Sequence, residues 1–284
     1  MVDSLKQIKN RIRTIEGTRK VTHAMEMISV AKLKSTESEL FVAREYFTEI
    51  KGLLDDILSN ITSATHPLLT RRGAGGRAAL CLITSDSGLS SDYNPNIIRA
   101  TEAFINKYRQ EGILLIAAGK KGFKYFQKKG VQILAKFIES KGSYSKEVSA
   151  RILTMLTDIF LSGKADEVYI ASTYFGSISK HVPAIEKLFP IDSIAATENL
   201  KYIVEPDIAG ILAELIPIYS SYKIKLAFLN AFTCEHTSRM IAMAEATNNA
   251  EELLEGLVLS RNKLRQANIT KELIELISSS ELLK

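Results

Sequence analysis

From Asp207 to the end, the chain repeats an apolar position every three or four residues. One register reads Leu215, Tyr219, Tyr222, Leu226, Leu229, Thr233, His236, Met240, Met243, Thr247, Ala250, Leu254, Leu257. The steps alternate four and three, which is the seam of a long helix packed along another helix. At 1.5 Å per residue, about seventy-five residues make a helix roughly 110 Å long. No compact domain needs a rod of that length, so the rod is expected to be the working part and to reach into something. Pro206 stands near its first turn, and Pro217 lies inside the pattern. A proline there either kinks the helix or marks its start, and a kink or short broken turn is expected.

A second long helix is expected over residues 5–61. Ile8, Ile12 and Ile15 open the same four-three pattern, and Leu33, Thr36, Leu40, Ala43, Phe47, Ile50, Leu54, Ile57 and Ile61 resume it. In between, the register falls on Arg19, Thr22, Glu26 and Ser29, while the apolar residues move to Val21, Met25 and Ile28. The stripe therefore slips near Gly17, and this part is expected to face a different neighbour. Asp3 or Ser4 suits the N-cap, and His66-Pro67 ends the segment. A glycine-rich stretch, Arg71 to Arg77, reads as a linker.

After it the period changes. Ala78–Thr84, Ile113–Ala118 and Val168–Ser172 are apolar runs of strand length, with Val131–Phe137 a weaker one. Helical patterns lie between them, over Asn94–Arg109, Lys121–Lys129 and Lys146–Ser162. Apolar strands alternating with helices specify a parallel sheet covered on both faces. The fold class is thus α/β plus long helices. An antiparallel two-helix coiled coil, formed by the terminal segments, carries a small doubly wound, Rossmann-like domain inserted between them. The expected divisions are 1–64 for the first helix, 65–76 for the linker, 77–205 for the α/β foot, with a less regular end after Ile178, and 206–284 for the second helix. On the same rise the second helix outruns the first by roughly 25 Å. Beyond Leu264 the seam would land on Asn268 and Lys271, and the apolar positions shift to Ile269, Leu273, Leu276 and Ile277. A two-helix seam ends there.

Of the 284 residues, 46% are hydrophobic, yet there is no unbroken apolar stretch of membrane-spanning length. Met1 to Gln7 resembles neither a secretory leader nor a transit peptide, so the protein is expected to stay in the compartment where it is made. Cys81 and Cys234 read as buried free thiols, and no metal-ligand cluster stands out. The net charge is +5, and residues 1–34 hold eight basic side chains against three acids, an excess equal to the whole. Such a stretch is either a solvated helix face or a surface for an anionic partner. No aromatic residue interleaves it and no nucleic-acid motif accompanies it, so no nucleic acid is expected.

Phosphate-binding loops are not found. Gly73 to Gly76 precedes the first strand, whereas a dinucleotide fingerprint follows one, and Gly119-Lys-Lys-Gly122 lacks the Lys-Ser/Thr of a P-loop. Asp86 follows a strand, but no histidine or second carboxylate sits in that stretch, and a turn or helix cap is the expected role. No catalytic residue, cofactor site or metal site is assigned.

Three segments resemble the gamma subunit family of the F-type ATP synthase. They are Ile8–Ile12 with Thr18–Leu33, Ile83–Leu89 with Tyr93-Asn94, and Ser238–Ala250 followed by Asn262–Ile277. Ser87, Ser90 and Ser91 depart from the family's usual arginine and cysteine or glycine, and the two-cysteine regulatory insertion of chloroplast members is missing. The resemblance implies a central stalk that rotates inside a ring of alpha and beta subunits. Ion flow through the membrane c-ring is then coupled to ATP synthesis or hydrolysis at the beta subunits. It implies a chain without catalysis of its own, peripheral on the cytoplasmic face of a bacterial inner membrane, not inserted in it, and partnered by alpha, beta and epsilon subunits and the c-ring. The match places the beta-subunit contacts at Met25, Arg239, Arg265, Gln266 and Thr270. It puts a bearing tip at Leu273, Leu276 and Ile277, and a c-ring and epsilon region at Lys201, Tyr202 and Glu205. The basic N-terminal segment would meet acidic loops of beta. Two rivals remain: a coiled-coil adaptor, which leaves the unequal rods unexplained, and a nucleotide-dependent enzyme, which lacks its loop.

Overall fold

The computed structural model describes residues 5–59, 66–70, 76–108, 112–138, 140–192 and 208–281. Their elements run α1 (Leu5–Ser59), β1 (Ala78–Ile83), α2 (Tyr93–Lys107), β2 (Ile113–Ala118), α3 (Lys120–Lys128), β3 (Ile133–Phe137), α4 (Lys146–Leu161), β4 (Glu167–Ser177), β5 (Lys180–Phe189) and α5 (Ile208–Glu281). The chain divides into two compact units, Met1–Ser29 with Met240–Lys284, and Val30–Arg239. The division cuts through both long helices, so the sheet shares a unit with a stretch of each.

The sheet of the Val30–Arg239 unit has the order β3-β2-β1-β4-β5. The first four strands are parallel, with Leu80 opposite Leu115 on one side and Tyr169 on the other. Every residue of β1 is buried, because it is central and both faces are covered. One face holds Leu80, Leu82, Ile97, Ile105, Leu115 and Phe126 under α2 and α3. The other holds Cys81, Ile83, Ile116 and Ile170 under α4, Ile50–Leu58 of α1 and Leu212–Phe232 of α5. The helices thus supply one of the sheet's two layers. They pair through Phe47 stacked on Tyr219 at 5.2 Å and Tyr46 against Tyr222 at 4.4 Å. Both cysteines are free and buried, which pushes each thiol up to about 12.

The sheet departs from the expected form at its edge. Lys180–Phe189 is a fifth, antiparallel strand, hairpinned to β4, where the sequence pattern shows an irregular end. Pro183 breaks the strand signature but is tolerated on an edge, where one side of the strand makes no ladder bonds. Pro217 lies inside α5, nine residues past its first residue, so it is not the start of the helix. Its exposed position leaves room for the ring, and the helix runs through it.

In the other unit, Thr247 Oγ1 donates to Thr22 Oγ1 at 2.9 Å, and Arg19 pairs with Glu251 at 3.3 Å. Partners that move backward on α1 and forward on α5 define an antiparallel pair. The buried side of α1 keeps its register through Ile8, Ile12, Thr22 and Ser29, while Val21 and Ile28 are 60% and 58% exposed. The seam therefore does not slip near Gly17. Its middle is built of small polar residues, and the larger apolar ones there face outward. A fully buried aliphatic side chain contributes about 1.5–3 kcal/mol. This pairing rests mainly on Ile8, Ile12 and Met243, while Thr22, Ser29, Thr247 and Ala250 allow close approach.

Candidate functional site

Two places carry unusual side-chain arrangements: the end of α5, and a buried polar cluster at the carboxyl ends of the strands. In the first unit, the Thr22–Thr247 register carried forward brings Ile8 opposite Arg261 and Leu5 opposite Leu264. From Arg265 to Ser279 every position of α5 is exposed. At about 100° per residue, Arg265, Gln266, Ile269, Thr270, Leu273, Leu276 and Ile277 fall within an arc of about 140°. Leu254, Leu257, Arg261 and Leu264 fall in the adjoining arc of about 80°, whose centre is about 130° away. The apolar stripe has swung around the helix. Leu273, Leu276 and Ile277 are 54%, 66% and 60% exposed. A contiguous apolar stripe left in water marks a surface that a partner covers. The Thr270 hydroxyl donates to its own helix at Gln266 O, 2.9 Å. Lys271 and Glu275 form an exposed pair of little energetic weight.

The second place lies within the Val30–Arg239 unit. In open doubly wound sheets, ligands bind beyond the carboxyl ends of the strands where the strand order reverses, here between β1 and β4. The chain's own helix fills that place. Asn230 Oδ1 accepts from Phe175 N at 3.2 Å, Cys234 Sγ lies 3.6 Å from Thr173 O, and Ser238 Oγ lies 3.3 Å from His181 Nδ1. Arg239 continues the contact onto the loop after β1, donating to Ser87 Oγ at 2.8 Å and Gly88 O at 3.3 Å. It also donates to Glu235 Oε1 at 2.8 Å, with side-chain exposures of 9% and 3%. Burial pushes the Glu235 carboxyl above its ordinary value, and Arg239 opposes the rise.

His236 Nε2 donates to Gly142 O at 2.7 Å, and its Nδ1 faces Arg239 Nη1 at 3.5 Å. Burial pushes this histidine down to about 4, so it is neutral at pH 7. Gly142 has φ +70°, and a Cβ there would lie 2.6 Å from the imidazole. Lys141 holds φ +51°, and both its backbone groups are tied down. Its carbonyl accepts from Lys32 Nζ at 2.6 Å, and its N–H donates to Asp86 Oδ2 at 3.0 Å. Asp86 also accepts from Ser140 Oγ and, through Oδ1, from the first N–H of α3 at Lys120. Asp86 is thus a helix cap and a loop clamp. The Gly119–Gly122 turn follows the same logic: a Cβ on Gly119 would lie 2.0 Å from Thr84 O. The cluster ties α1, α5, α3 and two loops into one body and presents no reacting group to solvent.

Curated relatives share about a third of their residues over nearly the whole length. An ATP synthase gamma chain of Moorella thermoacetica is 35% identical over 99% of both chains. One of Chlorobium limicola is 34% identical over the same shares. The family described as ATP synthase matches residues 4–283. The chain belongs to the ATP synthase gamma chain family. Solved structures agree on the fold. A chain from a Euglena gracilis mitochondrial ATP synthase assembly (OSCP/F1/c-ring) superposes with a TM-score of 0.69 at 16% identity, over 98% of this chain and 94% of that one. A chain from the central stalk/c-ring structure of the Tetrahymena thermophila enzyme gives 0.60 at 19%, over 80% and 99%.

The residues singled out from the sequence fall in several settings. Arg265, Gln266, Thr270, Leu273, Leu276 and Ile277 share the exposed face of α5. Met25 is half-buried on α1, its carbonyl accepting from Ser29 Oγ. Arg239 is buried, with its guanidinium engaged inside the chain. Lys201, Tyr202 and Glu205 lie outside the described residues. Of the basic N-terminal residues, Arg19 pairs with Glu251, and Lys6, Lys9, Arg13 and Lys20 are exposed. The buried cluster was not read from the sequence. Its signal is an acid, a histidine and an arginine, Glu235, His236 and Arg239, set closely together in a wholly buried stretch from Phe228 to Arg239.

Proposed function

We propose that this chain is the central rotor shaft of an F-type ATP synthase. It turns inside an alpha/beta hexamer and couples ion flow through a membrane c-ring to ATP synthesis or hydrolysis at the beta subunits. The observation that carries this reading is the end of α5, where the apolar stripe leaves the paired side and turns outward. A shaft needs such a tip, unpaired within its own chain and apolar where a sleeve of other subunits surrounds it. The membership of the gamma chain family along its whole length supports the same reading.

The chain has no catalytic residue of its own in this proposal. It acts by orientation, biasing each beta subunit's equilibrium through the face it presents. Arg265, Gln266 and Thr270, with Met25, contact a beta subunit, and Leu273, Leu276 and Ile277 form the bearing. Arg239 serves from inside, by holding the helix to the loops. Lys201, Tyr202 and Glu205 meet the c-ring and epsilon subunit, and Lys6, Lys9, Arg13 and Lys20 face acidic loops of beta. Among the described residues no helix is long and apolar enough to cross a membrane, which suits a peripheral subunit. Its proposed place is the cytoplasmic face of a bacterial inner membrane.

Co-expression with alpha and beta subunits tests the proposal. The three are expected to purify together, with ATP hydrolysis that needs all of them. Gln266→Ala is expected to leave the far-UV spectrum and assembly intact and to lower turnover about two- to tenfold, the value of one or two hydrogen bonds. A chain that fails to enter the complex, or hydrolyses ATP alone, overturns the reading. Unchanged turnover in the variant removes Gln266 from the contact.

A further inference from the structure

A cleft of about 310 Å³ lies within the Val30–Arg239 unit, between α1 and α5 on one side and β4 and β5 on the other. That is the lower end of the range for small-molecule sites. Phe47, Ile170, Leu226 and Ala227 supply apolar wall. Three charged side chains also face it, and their arrangement narrows what it can hold.

Two cations stand on the helical wall. Arg44 is fixed by Nη2, which donates to Phe175 O and Asn230 Oδ1, both at 3.0 Å, and its guanidinium lies 5.0 Å from the centre of the Tyr174 ring. Lys223 Nζ donates to Lys187 O at 2.6 Å and to the Tyr219 hydroxyl at 3.4 Å. Burial lowers its pKa, with the negative charges of Glu186 and Asp192 pulling the other way and Lys51 acting with burial. On the sheet wall stands Glu186 of β5, opposite Ile170. Its carboxylate forms no hydrogen bond or ion pair with any described residue, although cations are close by.

A simple anion would meet the two cations but also the carboxylate. A simple cation would meet the reverse. A neutral apolar molecule would cover the exposed Glu186 carboxylate and return no hydrogen bond to it. A molecule with both charges satisfies both walls. We propose that this cleft binds an apolar α-amino acid, its carboxylate toward Arg44 and Lys223, its ammonium toward Glu186, and its side chain against Phe47, Ile170 and Leu226. The proposal is independent of the rotary reading.

Calorimetric titration of the full chain with leucine tests it, against two analogues that each lack one charge. Isocaproate keeps the carboxylate and isoamylamine keeps the amine. Leucine is expected to bind saturably and at least about tenfold tighter than either, the worth of one charge-assisted contact. Glu186→Gln, a change at an exposed position, is expected to bring leucine down to the level of isocaproate and to leave isocaproate no weaker. Lys223→Met is expected to weaken both. Leucine without saturable binding, leucine no tighter than isocaproate, or leucine affinity unaltered by Glu186→Gln each overturns the proposal.

Discussion

Replacing Arg239 by methionine tests the buried cluster that joins α5 to the sheet. The substitution keeps the volume and most of the packing but removes the charge. Glu235, 3% exposed at its side chain, then has neither its ion pair nor a second partner, because its other oxygen already lacks one. An uncompensated buried charge costs about 3–5 kcal/mol. The lost bonds to Ser87 and Gly88 act in the same direction. The pH dependence identifies the cause. Burial already raises the Glu235 carboxyl above its ordinary value, and an acid with a raised folded-state pKa destabilises the fold above that pKa. Losing Arg239 raises it further. The deficit of the variant is therefore largest near neutral pH and shrinks as the pH falls and the carboxyl takes up a proton. Adding Glu235→Gln is expected to recover most of the loss at neutral pH and to remove its pH dependence.

The assay is urea unfolding followed by the near-UV signal of tyrosine. All 10 tyrosines lie between residues 30 and 239 and there is no tryptophan, so the signal reports that unit alone. A loss under about 1 kcal/mol, no larger than an exposed ion pair gives, would refute the reasoning. So would a deficit that does not change with pH, or a double variant no better than the single one.

Two further outcomes follow from the same unit. His236 has a folded-state pKa depressed from 6.5 to about 4, so it stabilises the fold at neutral pH. That stability is lost as pH falls from the unfolded value through the folded one, by roughly 3 kcal/mol in all. His236→Gln is expected to flatten that part of the plot of unfolding free energy against pH. Gly119→Ala places a Cβ 2.0 Å from Thr84 O at φ +109°. It is expected to cost about 3 kcal/mol or more, read as a lower urea midpoint or as loss of soluble protein.

The sequence by itself determined every element but the edge strand. The four-three repeats of both long helices, and the apolar runs at Ala78–Ile83, Ile113–Ala118 and from Val168, are local patterns, because burial on one side or on both imposes its period on neighbouring residues. The outward turn of the apolar stripe after Leu264 is legible for the same reason. What the residues meet is not local. The seam keeps its register past Gly17 although hydrophobicity does not, because Thr22 and Ser29 fit a close helix contact and Val21 and Ile28 do not. The edge strand Lys180–Phe189 is hidden by Pro183, which only its place in the sheet makes acceptable. Arg239 looked like a contact for another subunit, but the fold brings Ser87, Gly88 and Glu235 around it from as far as 152 positions away in sequence. Those bonds close only once the sheet and α5 are assembled. The tertiary structure alone therefore decided that the ligand crevice of the doubly wound sheet is filled by the chain's own helix.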